Sequence, residues 1–264
     1  MILEKIVAAT RLRVERMKEL LPLEKIRDKA YSADITSDFP FEKALRKQDI
    51  SFICEVKRAS PSKGMIAEDF PYLRIASDYE EAGADAISVL TEPRFFKGGN
   101  KYLAEIKDKV SVPVLRKDFI IDPYQIYESK ILGASAVLLI CTLLDTKTLY
   151  QFLSICHELG MSALVEAHND AEIESALNAG AGIIGVNNRN LNDFSVDITN
   201  SIRLREMVPD NIAFVSESGI KTPEDVEMLR KAKTDGVLIG EALMICQDKK
   251  KMIEYLRGNG NDQN

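Results

Sequence analysis

The chain has no tryptophan, two histidines and four cysteines in 264 residues. Each scarcity excludes something. Cys54, Cys141, Cys156 and Cys246 lie far apart with no Cys-x-x-Cys pair, so neither a disulfide framework nor a thiolate zinc site is expected. They read as reduced thiols in a cytoplasm. His157 and His168 bring no companion ligand set, so no metal is expected. Basic residues do not dominate either: 35 Lys+Arg stand against 41 Asp+Glu, a net charge of −6, which argues against nucleic acid as a partner. No uncharged apolar run reaches bilayer-spanning length, and Glu4 and Lys5 break the start too early for a signal peptide. The expectation is a cytoplasmic protein without a membrane or nucleic-acid partner. A Walker sequence is missing too, so nucleotide hydrolysis is not supported.

What is present is a repeat. Four segments share one grammar: a helical stretch, a glycine, small residues, then a short apolar run. They run Glu81 to Leu90, Ile131 to Ile140, Glu158 to Glu166 and Asn178 to Asn187; a weaker fifth copy ends Asp235 to Gly240. Glycine accepts the left-handed conformation that ends a helix, and an apolar run buried on both faces suits a parallel strand. The glycine gaps are close to one period of ~25 residues or about double it, as stacked helix-strand units require. Filling the double gaps adds strands at Phe52 to Val56, Pro113 to Arg116 and Ile212 to Ser216. Eight strands result. Thr222-Pro223-Glu224-Asp225 reads as a capping box, and Asp122-Pro123 and Asn169-Asp170 as two further helix starts. Leu73, Ala76, Tyr79 and Ala82, at helical spacing, read as a face packed on the sheet.

Eight alternating units match an α/β fold, a (βα)8 TIM barrel with an N-terminal helical extension. A doubly wound sheet would want a glycine fingerprint after its first strand, where this chain reads Ser60-Pro61-Ser62-Lys63-Gly64. The domain expectation is one barrel domain over 1–258, its extension 1–48 and barrel 49–257, with 258–264 a frayed tail. In the extension, Arg11, Arg13, Arg16 and Lys18 suggest a membrane-surface helix, but Glu15 and Glu19 interrupt them. A solvated face or a cap over one barrel end is the better reading.

Chemistry in such a barrel sits at the carboxyl ends of the strands. Strand one ends Glu55-Val56-Lys57, strand three Leu115-Arg116-Lys117, strand five Leu164-Val165-Glu166, strand six Gly185-Val186-Asn187 followed by Arg189, and strand seven Val215-Ser216-Glu217. One such group alone is usually a solvated rim. Alternation turns Glu55, Lys57, Lys117, Glu166, Asn187 and Glu217 toward one axis, where lysines and carboxylates shift each other's pKa. Ser218-Gly219 and Gly240-Glu241, after the last two strands, suit a phosphate site, and equally suit plain turns. Glu241 is awkward beside an anion, so its side chain is expected to turn away. Lys97-Gly98-Gly99 reads as a flexible loop.

The strings Glu55 to Gly64, Leu90 to Gly99, Leu115 to Phe119, Leu164 to Glu166, Gly185 to Leu191 and Ser216 to Ile220 resemble the indole-3-glycerol-phosphate synthase family, in order. The resemblance implies a carboxy-lyase of tryptophan biosynthesis, using no cofactor, acting on the small phosphorylated substrate 1-(2-carboxyphenylamino)-1-deoxyribulose 5-phosphate. It also implies the roles. Lys117 is the general acid for ring closure and Glu166 the base for dehydration. Lys57 pairs with substrate anions and donates a proton, oriented by Glu55. Asn187, Arg189 and Glu217 position substrate. Ser218, Gly219, Gly240 and Glu241 hold phosphate, the last three through backbone N–H. Ser60, Pro61 and Phe96 line the aromatic side, and the N-terminal helices cover the mouth. Two alternatives stay open: a Schiff-base aldolase using Lys117 or Lys57, and a catalytically silent binding barrel. A monomer is expected.

Overall fold

The protein, described here from a computed structural model, is defined over residues 2–35, 38–190 and 193–258. Beyond Gly258, the tail expected to fray lies outside the described residues. Eight strands carry the fold: β1 (Ser51–Val56), β2 (Ala86–Leu90), β3 (Val114–Lys117), β4 (Ala136–Ile140), β5 (Ser162–Ala167), β6 (Ile183–Asn187), β7 (Ala213–Glu217) and β8 (Gly236–Ile239). Each runs parallel to the next, and β8 returns to pair with β1, closing the barrel. A two-stranded antiparallel turn, Ala59–Ser60 with Gly64–Met65, follows β1; the sequence reading did not include it.

The repeat has a conformational cause. Gly83, Gly133, Gly160 and Gly180 all take left-handed backbone, at φ 85°, 82°, 66° and 81°, and turn the chain from helix into strand. In the fifth copy that position is held by Lys233 at φ 57°, not by a glycine. This is why the copy reads weakly. The start signals also act locally: Thr222 and Asp225 form a reciprocal capping box, Asp122 accepts the Tyr124 N–H, and Asn169 accepts the Glu172 N–H.

Alternation sorts the strand side chains into two layers. Ile53, Leu115, Leu138, Leu164, Ile183, Val215 and Leu238 fill the barrel interior. Phe52, Cys54, Val56, Ile87 and Val89 face the surrounding helices. The helix over Tyr72–Glu81 buries Ile75, Ala76 and Tyr79, with Leu73 and Ala82 partly covered. Among the described residues no helix is long and apolar enough to cross a membrane.

The extension forms three helices, α1 (Ile2–Leu20), α2 (Leu23–Ser32) and α3 (Pro40–Leu45), and it covers both ends of the barrel. At the amino end of the strands, Phe41 and Leu45 of α3 are fully buried among the interior side chains. Small Ala86, Ala136 and Ala213 open β2, β4 and β7 there and leave the space they fill. At the other end, Ile2, Leu3 and Ile6 of α1 line the mouth. The basic run on α1 is therefore divided: Arg11 and Arg16 are exposed, while Arg13 pairs with Asp118 at 2.9 Å and Lys18 with Asp122 at 2.6 Å.

Candidate active site

Three strands end in the groups that meet at the centre of the mouth. β3 delivers Lys117, β5 Glu166 and β7 Glu217, each continuing the inward row of its strand (Leu115, Leu164, Val215). The Lys117 ammonium stands 3.2 Å from Glu166 Oε2 and 3.4 Å from Glu217 Oε2. On β1, Glu55 and Lys57 form a second ion pair, close against Gly240 at the end of β8. Asn187, ending β6, hydrogen-bonds Glu166 and accepts the Arg189 N–H at 3.0 Å.

Around this centre lies a cavity of about 780 Å³, and every catalytic, substrate and phosphate residue named from the sequence lines it. Ser218 and Gly219 sit at consecutive left-handed φ of 68° and 91°, and the Asn188 side chain donates to the Ser218 carbonyl at 3.0 Å. Both residues line the cavity. Across from it, Gly240 precedes the helix over Glu241–Ile245. The Glu241 carboxylate is held by Lys63 at 3.0 Å and Arg189 at 3.9 Å. Ser60, Pro61 and Phe96 form another wall, with the Phe96 and Phe119 rings 5.8 Å apart.

The loop carrying Phe96 differs from the flexible segment expected at Lys97-Gly98-Gly99. Glu92 accepts the backbone N–H groups of Arg94, Phe95 and Phe96 at 2.9, 2.6 and 3.0 Å, and its own carbonyl accepts the Gly98 N–H at 2.8 Å. A buried carboxylate organises this turn, a role its position in the sequence does not reveal.

Burial and charge set the protonation states. Burial opposes the Lys117 ammonium, but Glu166, Glu217 and Glu55 outweigh it and hold its pKa above the ordinary lysine value. Glu166 is also disfavoured by burial as a carboxylate, yet Lys117 and His168 keep its pKa low. Glu217 goes the other way: burial, reinforced by the Glu166 charge, pushes it up to about 7 despite Lys117. Two carboxylates around one ammonium thus differ in proton affinity, as acid-base chemistry requires.

Three features escaped the sequence reading. His168 lies 3.5 Å from Glu166, although alternation from Glu166 by two residues was available to find it. Phe119 joins the aromatic wall. Arg116 points out of the barrel, almost fully buried, and binds Asp118 at 3.1 Å and Glu128 at 2.8 Å; nothing in a β-strand string marks such a network.

Comparison with known proteins gives one answer. A family model described as indole-3-glycerol phosphate synthase matches residues 3–256. The chain is 56% identical over 259 residues to the indole-3-glycerol phosphate synthase of Ruminiclostridium cellulolyticum, covering 98% of this chain and 100% of that protein. It is 57% identical over 244 residues to that of Endomicrobium trichonymphae, covering 92% and 95%. Among solved structures, 3-hexulose-6-phosphate synthase from Salmonella typhimurium superposes with a TM-score of 0.65 at 16% identity, covering 79% of this chain and 97% of that one; this likeness concerns the fold alone.

Proposed function

The chain belongs to the indole-3-glycerol phosphate synthase family, and from that premise we propose how its strand-end residues divide the reaction. The activity is that of a carboxy-lyase in tryptophan biosynthesis. It converts 1-(2-carboxyphenylamino)-1-deoxyribulose 5-phosphate into indole-3-glycerol phosphate, carbon dioxide and water.

Ring closure needs an aromatic carbon to attack a ketone, so the ketone oxygen must gain a proton as the bond forms. Lys117 supplies it. Its ammonium is kept charged by the carboxylates beside it, which also argues against a Schiff-base lysine, since only the neutral amine is a nucleophile. Loss of carbon dioxide returns its bonding electrons to the ring and restores aromaticity. Dehydration then removes the new hydroxyl as water with a second proton, which we assign to Lys57, while Glu166 takes a proton from the indoline. Two protons are given and one recovered. One proton therefore enters from solvent per turnover, matching conversion of a carboxylate into neutral carbon dioxide.

The remaining residues bind and orient. Glu55 orients Lys57, and Asn187, Arg189 and Glu217 hold the polyol chain and the carboxylate. Ser218, Gly219, Gly240 and the Glu241 N–H take the phosphate. Ser60, Pro61 and Phe96 flank the aromatic ring. We read the chain as one domain over 1–258, a monomer acting in the cytoplasm. The observation that carries this reading is the Lys117 ammonium 3.2 Å from the Glu166 carboxylate inside the cavity. Borohydride reduction in the presence of substrate tests it: no lysine should be labelled, and a trapped adduct would replace acid-base catalysis with an aldolase mechanism.

A further inference from the structure

The carboxylate of Glu166 has two oxygens, and the mechanism above uses one. Oε2 faces Lys117 at 3.2 Å, while Oε1 faces Nε2 of His168 at 3.5 Å. The imidazole is fixed from its other side. Its Nδ1 lies 3.0 Å from Glu172 Oε2, and the same oxygen accepts the His168 backbone N–H at 2.8 Å. Glu172 is held in turn by the Thr142 hydroxyl at 2.9 Å and by Asn169, which accepts its N–H at 3.1 Å. Nε2 is buried and makes no hydrogen bond.

A ring placed between two carboxylates has one favourable state. Either neutral tautomer would set a lone pair against one of the carboxylates; only the imidazolium presents positive charge to both. We propose that His168 is a positioning residue for the reaction: clamped as a cation by Glu172, it keeps Glu166 ionised while Lys117 is without its proton. The proposal rests on the Lys117 and Glu166 roles assigned above. Once Lys117 has protonated the ketone it is a neutral amine, and Glu166, with a side chain 3% exposed, has lost that counter-charge. A buried carboxylate without a cation takes up a proton and cannot then act as a base. His168 is the cation the chemistry does not consume.

The charges facing the ring agree in sign. Glu172 on the helix over Asp170–Asn178 and Glu166 on β5, joined by Glu217 on β7 once it ionises, outweigh burial, so the imidazole holds its proton above the ordinary histidine value. Beyond the ring, a cavity of about 620 Å³ is lined by Glu4, Arg189 and Asp197 among others.

Having only two histidines makes the test direct. Ring resonances of the full protein are followed against pH, with His157→Gln used for assignment. The His168 ring should titrate above the ordinary value and fall toward it in Glu166→Gln; a ring already neutral at pH 7 would overturn the proposal. In kinetics, His168→Asn should displace the acid limb of kcat upward by about one pH unit, so that kcat is roughly tenfold lower on that limb and little changed at neutral pH, with KM nearly unchanged. Glu172→Gln should move the same limb less. A His168→Asn profile that overlays the parent's also overturns the proposal, while an inactive Glu166→Gln leaves the base assignment standing. Should Glu166→Gln keep its kcat, the base assignment itself falls, and the proposal with it. The ring titration on the unaltered protein decides the matter if His168→Asn fails to fold.

Discussion

Arg13 on the first helix donates to both oxygens of Asp118 at 2.9 Å, across 105 residues of sequence. Asp118 directly follows Lys117, is 1% exposed, and is also bound by Arg116 and the Thr91 hydroxyl. The helix covering the mouth is thereby tied to the residue next to the proposed acid. Arg13→Ala removes one of two cations from a buried carboxylate, a loss worth about 1–3 kcal/mol. The expected result is a lower urea midpoint and a raised KM with a smaller change in kcat. An unchanged KM would show that the tie serves stability alone.

The proposed acid and base have separate signatures. Lys117→Ala and Glu166→Gln should each lower kcat by about 10²–10⁴-fold while the protein still binds a phosphorylated product analogue. Lys117→Met retains most of the side-chain volume without the charge and should be equally inactive. Absence of tryptophan makes the assay simple, because indole fluorescence rises over a dark protein background. Equal loss of binding in these variants, with turnover left, would reduce both residues to positioning groups.

Glu217 gives a stability prediction with a definite sign. Its ordinary value of 4.5 is raised to about 7 in the fold, chiefly by burial. Between those values the folded protein keeps a proton that the unfolded chain has lost, so this group's contribution to stability declines as pH rises through that window. Glu217→Gln stays neutral throughout. Between pH 5 and pH 6.5 the variant's urea midpoint should therefore gain on the parent's. A constant difference would mean that Glu217 is already ionised in the fold.

Gly185 is a matter of space. A Cβ at this position would overlap the Glu217 carboxylate and crowd Leu164 at 3.0 Å. Gly185→Ala should displace Glu217 at a cost of about 1–3 kcal/mol, with kcat falling tenfold or more. Activity close to the parent's would show that Glu217 has room to move without consequence.

The cysteines divide by burial. Burial pushes the Cys141 and Cys156 thiols up to about 12, and Cys54 higher still, leaving almost no thiolate at neutral pH. Cys246 is partly exposed and lines the mouth. Iodoacetamide should label Cys246 alone in the folded protein, and a bound phosphorylated ligand should slow it. Labelling of Cys156 without denaturant would contradict the described core.

Much of this architecture was legible because it rests on local chemistry. Left-handed glycines, capping residues and two-residue alternation are short-range signals, and they located eight strands and the rows ending in Glu55, Lys117, Glu166 and Glu217. Where the left-handed residue was Lys233, the signal weakened as the physics says it should. The α3 plug, the inward turn of Glu92 and the outward Arg116 left no local mark. Their side chains answer to partners brought near only by closure of the ring.

By itself, then, the order of residues determined which side chains share a strand face, because pleating alternates them whatever lies around. Only the folded barrel decided how far apart those side chains stand and which of them carry protons. Proton affinity depends on the distance to charges from other strands and on exclusion of water, and neither exists until the ring has closed. His168 shows the difference: two residues past Glu166 in the chain, it becomes a fixed cation only where Glu172 from the following helix meets its other nitrogen.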